Sequence, residues 1–240
     1  MISQIGFISL FLGLSFSLLI FLFSLLDVNN NSVRIDKKIP KLIFFQFCSV
    51  IFAFSFLIFA FLVSDFSNET VYNNSHSTKP LFYKITGVWG NHEGSLLLWL
   101  LVLTSFVLFF AIKSKNEPKN FRLHTILFHQ IITIGFFIFV LKTSSPFNLI
   151  FPVPSEGLGL NPILQDPALG IHPPILYVGY VGTSIVFASA LSAMINGYVN
   201  NEWAKNLKFW TFLSWIFLTG GILLGSIWAY YELGLSLIHI

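Results

Sequence analysis

Residues 42–63 read LIFFQFCSVIFAFSFLIFAFLV, a run without a single charged side chain. As an α-helix this run is about 33 Å long, enough for a bilayer hydrocarbon core of about 30 Å. Its few polar residues (Gln46, Ser49, Ser55) follow no two-residue alternation, so it reads as a membrane-spanning helix and not as a half-buried strand. The same reading extends outward along the chain. Residues 5–26, 175–195 and 209–230 are uncharged and of similar length, while 95–112 and 125–141 are uncharged but shorter and need flanking residues to span. The sequence therefore predicts an all-α polytopic membrane bundle of about six transmembrane helices. Residues 5–26 lack a basic start and a small-residue cleavage site, and read as a retained span rather than a signal peptide.

Composition agrees. The chain has 240 residues, 55% hydrophobic and 10% charged, with a mean hydropathy of +0.79. Soluble domains carry about 25% charge, and a soluble fold with this surface would aggregate. The single cysteine, Cys48, lies in an apolar run and excludes an intrachain disulfide or a cysteine metal cluster. No phosphate-binding glycine loop occurs, which argues against a nucleotide-driven pump. The net charge of +3 gives no nucleic-acid footprint.

Ten of the thirteen Lys and Arg residues fall in alternate loops: Arg34, Lys37, Lys38 and Lys41; Lys113, Lys115, Lys119 and Arg122; Lys205 and Lys208. Lys79, Lys84 and Lys142 are the other three. By the positive-inside rule the rich loops face the cytoplasm or matrix. Both termini and two long loops, 64–94 and 142–174, then lie on the outer face. The second long loop carries Pro146, Pro152, Pro154, Pro162, Pro167, Pro173 and Pro174. It reads as a shaped surface on the membrane rather than a linker.

Few side chains there carry chemistry. In QDPALGIHPP, residues 165–174, Pro173 biases His172 toward an extended backbone and Pro174 suits a helix start. His172 is thus expected just outside the fifth span, at a fixed place on the outer surface. A neutral imidazole so held either hydrogen-bonds backbone carbonyls or ligates haem iron through its free nitrogen. In GVWGNHEGSLLLW, residues 87–99, Asn91, His92 and Glu93 suit a helix N-terminus, and Trp89 and Trp99 suit an interfacial belt. Capping explains this cluster, with orientation of a bound group by His92 or Glu93 as the functional alternative. Gly221 and Gly225 form a small-xxx-small face. Trp228, Tyr230 and Tyr231 follow as anchors or as a wall for a flat ligand. His129 and Gln130 lie within the fourth span. His129 is placed within a turn or two of the basic face, and His124 and His76 nearer to water, so none of these histidines is given a role.

The stretches WGNHEGSLLLW (89–99), LNPILQDPALGIHPPILYVGYVG (160–182) and LGSIWAYYELG (224–234) resemble the CcmF family, the haem lyase subunit of system I cytochrome c maturation, related to NrfE. The resemblance covers residues 1–234, in the family's N-terminal part. It implies haem as cofactor, held on the outer face of a bacterial or mitochondrial inner membrane. Haem would come from the haem chaperone CcmE. With CcmH, the protein would help join it by thioether bonds to apocytochrome c. His172 matches one of two outer-face histidines that hold this haem as axial ligands, and Trp228 is a candidate wall of the haem pocket. The family's second outer histidine, its tryptophan-rich WWD segment and both ligands of a separate haem b lie beyond the matching region.

Residues 235–240, LSLIHI, depart from the family. They match a translated transposase-end sequencing adapter and are expected to be a non-native tail; the rival reading is a naturally split gene. A chain of this extent is expected to be inactive alone as a haem lyase. Two other classes stay open from the residues themselves: a polytopic transporter akin to a haem exporter, and a structural assembly subunit. The spans lack the paired intramembrane charges that transport sites use.

Overall fold

A computed structural model describes residues 1–30 and 38–235. Arg34 and Lys37 of the first basic loop, and residues 236–240 of the expected tail, lie outside the described residues. Six helices are long and apolar enough to cross a membrane: α1 (Ile2–Asn30), α2 (Ile39–Leu62), α5 (His92–Lys113), α6 (Lys119–Thr143), α7 (Pro167–Ile195) and α8 (Asn201–Leu233). Two short helices, α3 (Glu69–Asn74) and α4 (Leu81–Thr86), interrupt the loop between α2 and α5. All six expected spans are present, and the two short ones gain their missing length from flanking residues.

Local chemistry sets the helix ends. Asn91 Oδ1 accepts from Gly94 N at 2.8 Å and starts α5. Asn200 accepts from Trp203 N at 2.9 Å and starts α8. α8 stops at Gly234, whose φ of 63° favours glycine. α7 differs most from expectation. It begins at Pro167, not after His172, because Asp166 Oδ1 accepts from Ala168 N (2.8 Å) and Leu169 N (3.1 Å) while Pro167 occupies the first helical position. His172, Pro173 and Pro174 are therefore helical residues in the second turn. An Asp-Pro start outweighs the breaking tendency of the later proline pair, even though Pro173 and Pro174 lie beyond the four N–H groups that need no intrahelical partner and so leave carbonyls one turn back without their usual donors.

Leu57, Leu97, Leu100, Leu103, Phe137 and Ile185 form the fully buried centre. Phe44, Phe52, Phe59, Trp215 and Ile216 point outward, as lipid-facing residues do. Between α1, α2 and α6 the core holds a polar knot. Gln46 and Gln130 exchange amide hydrogen bonds (3.0 and 3.1 Å), and Ser17 Oγ donates to Gln130 Oε1 at 2.5 Å. His129 is completely buried, contrary to its expected reach to water, with ring nitrogens 3.3 Å from Thr133 Oγ1 and 3.2 Å from Ser184 Oγ.

α7 and α8 pack backbone to backbone. A Cβ on Gly179 would lie 2.1 Å from Leu218 N, and one on Gly221 would lie 2.5 Å from Leu176 Cα. The Gly221 half of this contact was legible as a small-residue face; the reciprocal Gly179 was not.

The two ends of the bundle separate as the alternating loops require. At one end Lys119 Nζ pairs with Asp27 Oδ1 at 3.0 Å, and Tyr198 OH donates to Glu117 at 2.9 Å. The two long loops meet at the other end and pair like strands. Glu69 N donates to Asn148 O, Ile150 N to Ser67 O and Leu158 N to Tyr72 O, all at 2.8–2.9 Å. Asn68 Nδ2 ties this cap to Ser3 Oγ and Pro146 O, each at 3.0 Å.

Candidate functional site

Beneath the loop cap lies an open cleft of about 380 Å³, walled by the first turn of α5, the N-terminal turns of α7, and Leu160 and Leu164 of the second long loop. Its lining is mostly apolar and aromatic and includes both His92 and His172. Sequence reasoning singled out His172 and gave His92 only an alternative role. Their meeting arises from the packing of α5 against α7.

The α7 wall is shaped by its prolines. Pro174 has no N–H to give to the carbonyl of Gly170, four residues earlier. Trp89 Nε1 supplies the missing donor at 3.0 Å, while its ring stacks on Phe54. Trp99 stacks on Phe136 at 5.0 Å and meets Tyr177 and Tyr180. Both tryptophans thus serve interhelical packing. A Cβ on Gly170 would come within 2.9 Å of Phe82 and Thr86, so the close approach of α4 to α7 requires glycine there.

His172 is half-buried. Its Nδ1 lies 3.2 Å from Gly221 O on α8. A carbonyl only accepts, so this contact places the proton on Nδ1 and leaves the lone pair on Nε2. Gly225 leaves room for the ring: a Cβ there would stand 3.0 Å from both Cε1 and Nδ1. A histidine held by a backbone carbonyl, with its other nitrogen unprotonated, is the arrangement of an axial or metal ligand.

Trp228 lies two turns beyond Gly221, on the same α8 face. It is not among the residues lining the cleft, and its buried Nε1 has no partner among the described residues. Among the described residues, no group of three or more metal-ligating side chains comes together.

The lining contains no Lys, Arg, Asp or Glu. Two cations of the cap have partners of their own. Lys84 Nζ donates to Ser64 Oγ at 2.8 Å, and Lys79 Nζ to Asn74 O at 3.1 Å. Burial, and then the charge of Lys84, bring the Lys79 amine down to about 8. On the outer side of the cap, hydrogen bonds from the Ser77 hydroxyl, Ser77 N and Gly157 N hold the Glu156 carboxyl at about 2.

Residues 89–238 match the family model of the "Cytochrome C assembly protein". The cytochrome c-type biogenesis protein CycK of Rhizobium meliloti is 52% identical over 163 residues, 68% of this chain and 24% of the relative. The cytochrome c-type biogenesis protein CcmF of Haemophilus influenzae is 42% identical over 235 residues, 98% of this chain and 36% of the relative. Among solved structures, the cytochrome c haem lyase CcmF superposes with a TM-score of 0.83 at 27% identity, over 96% of this chain and 36% of that one. The chain thus spans about a quarter to a third of the length of these relatives. With the matched model covering more than half of the chain and these relatives aligned through the cleft, the chain belongs to the cytochrome c assembly protein family, as a CcmF-like segment.

Proposed function

We propose that the cleft holds haem on the outer face of the membrane for covalent attachment to apocytochrome c, with His172 Nε2 as an axial ligand of the iron. Haem is here the cargo of the reaction. The observation that carries this reading is the contact from His172 Nδ1 to Gly221 O, which prepares the ring as a neutral ligand with one free lone pair. The apolar and aromatic lining of the cleft suits a porphyrin face, and its opening under the loop cap suits delivery from outside the bilayer. The protein's own contribution is ligation, orientation and exclusion of water, while the iron and porphyrin supply the reactive chemistry. On this reading the haem chaperone CcmE donates the cargo, CcmH and apocytochrome c meet it at the cap, and the cap lies on the periplasmic or intermembrane-space side. Trp228, outside the lining of the cleft, is the further candidate wall for the porphyrin.

His172→Ala, made in the full protein and expressed with the maturation system, is expected to lose co-purifying haem and cytochrome c maturation while its level in the membrane is unchanged. Added imidazole is expected to restore part of the haem absorption by replacing the missing ligand. Unchanged haem content in His172→Ala would remove the ligand assignment.

A further inference from the structure

Ligation of iron leaves the second histidine of the cleft without a use. His92 is the first residue of α5, and its Nε2 lies 3.0 Å from Ser144 Oγ. Protonated, the ring donates from Nε2 to the Ser144 hydroxyl oxygen and keeps a second N–H, on Nδ1, as a donor. Of the other polar groups of the lining, Asn91 donates to Gly87 O and Val88 O and Ser95 Oγ donates to His92 O, while the uncharged Thr86 hydroxyl has no partner among the described residues. With no Lys or Arg in the lining and His172 committed to iron as a neutral ring, His92 is the lining side chain able to carry a positive charge. The amino end of the 22-residue α5 adds a favourable field for an anion beside it.

Haem bears two carboxylates on one edge of its ring. Placed in a mostly apolar cleft, a carboxylate needs a donor or a cation to offset its lost hydration. We infer that His92 anchors a carboxylate of the porphyrin rim, so that two histidines from two helices fix the cargo: His172 at the iron and His92 at the edge. This rests on the haem reading above and deepens it, because a ring held at one point alone is free to rotate about the iron–nitrogen axis.

The test compares haem with haem dimethyl ester, which keeps the iron and macrocycle but lacks the two negative charges. Each is titrated into the full protein in lipid nanodiscs and followed by its absorption band. The native protein is expected to bind the ester about tenfold or more weakly than haem. His92→Ala is expected to weaken haem to the level of the ester and leave the ester unchanged. His92→Gln, which keeps an N–H donor, is expected to fall between the two. An equal loss for both ligands in His92→Ala, or discrimination that survives that substitution, overturns the anchor. Haem and ester bound equally by the native protein overturn it as well. Failure of the haem reading looks different: neither porphyrin gives an absorption shift, or His172→Ala binds both as the native protein does, and the anchor then falls with it.

Discussion

Trp89 and Gly170, 81 residues apart in the chain, are joined by an indole N–H that donates to a carbonyl orphaned by Pro174. The helix defect made by one residue is thus repaired by a side chain from another element. The cost of removing such a bond is about 1 kcal/mol. Trp89→Phe keeps a ring against Phe54 and loses only the donor, so it is expected to lower the stability of the detergent-solubilised protein by that amount. Pro174→Ala returns an N–H to Gly170 O. In that background Trp89→Phe is expected to cost markedly less, and equal costs in both backgrounds would rule out the repair. Thermal unfolding of the four proteins measures the difference.

The glycine contacts between α7 and α8 separate a positional requirement from a general one. Gly221→Ala drives a Cβ to within 2.5–2.8 Å of Leu176 backbone and Cβ atoms, which flexible side-chain motion cannot relieve. It is expected to cost about 1–3 kcal/mol and to loosen His172 from its carbonyl. Gly135, on α6, has nothing within 4 Å of its would-be Cβ. Gly135→Ala is expected to be neutral or to stabilise by up to about 1 kcal/mol through helix propensity. Denaturation of both variants in the same detergent checks the contrast.

How much of this was legible beforehand follows from the range of the forces. The six spans were readable because burial in lipid acts on every residue of a segment and leaves its mark on composition. The Asn91 cap was readable because its partner, Gly94 N, is three residues away. The start of α7 was misjudged although its Asp166–Pro167 signature stands in the sequence, because Pro173 and Pro174 present a stronger local breaking signal. The Trp89 donor, the burial of His129 and the meeting of His92 with His172 depend on which helices become neighbours. No local pattern encodes that. The seam between the two long loops is of the same kind, pairing Glu69 with Asn148 and Leu158 with Tyr72.

The amide pair of Gln46 and Gln130 is expected to show strong coupling. Gln130→Leu leaves the Gln46 amide and the Ser17 hydroxyl unpaired in a fully buried site, at a cost of about 0.6–2 kcal/mol. Gln46→Leu combined with Gln130→Leu removes both amides together and is expected to cost less than the sum of the single changes. A double-mutant cycle by equilibrium unfolding in mixed micelles gives the coupling energy directly.

The loop cap should weaken in acid. The folded Glu156 carboxyl titrates at about 2 instead of its ordinary 4.5, chiefly because of the Ser77 hydroxyl. A depressed carboxylate stabilises the fold fully above the ordinary value and loses that contribution as pH falls from about 4.5 to about 2. Limited proteolysis of the 146–166 loop by an acid-active protease is therefore expected to rise over this interval. Ser77→Ala removes the leading cause, so its cap is expected to be cut faster already at neutral pH, with an acid rise that is smaller and complete at a higher pH. Coincident profiles for the two proteins would exclude the Ser77–Glu156 contact as the acid-sensitive link.

The strand-like seam between the long loops has a kinetic meaning. Backbone bonds from Glu69, Ile150 and Leu158 join the two segments into one piece, and Asn68 fastens that piece to Ser3 at the start of α1. Leu160 and Leu164, which border the cleft, belong to the same piece. The entropy of ordering these residues is therefore lost once, during folding, and not again at each capture. Uptake at such a mouth is expected to be a single bimolecular step that accelerates in proportion to ligand concentration, without the plateau that a loop-closing rearrangement would impose.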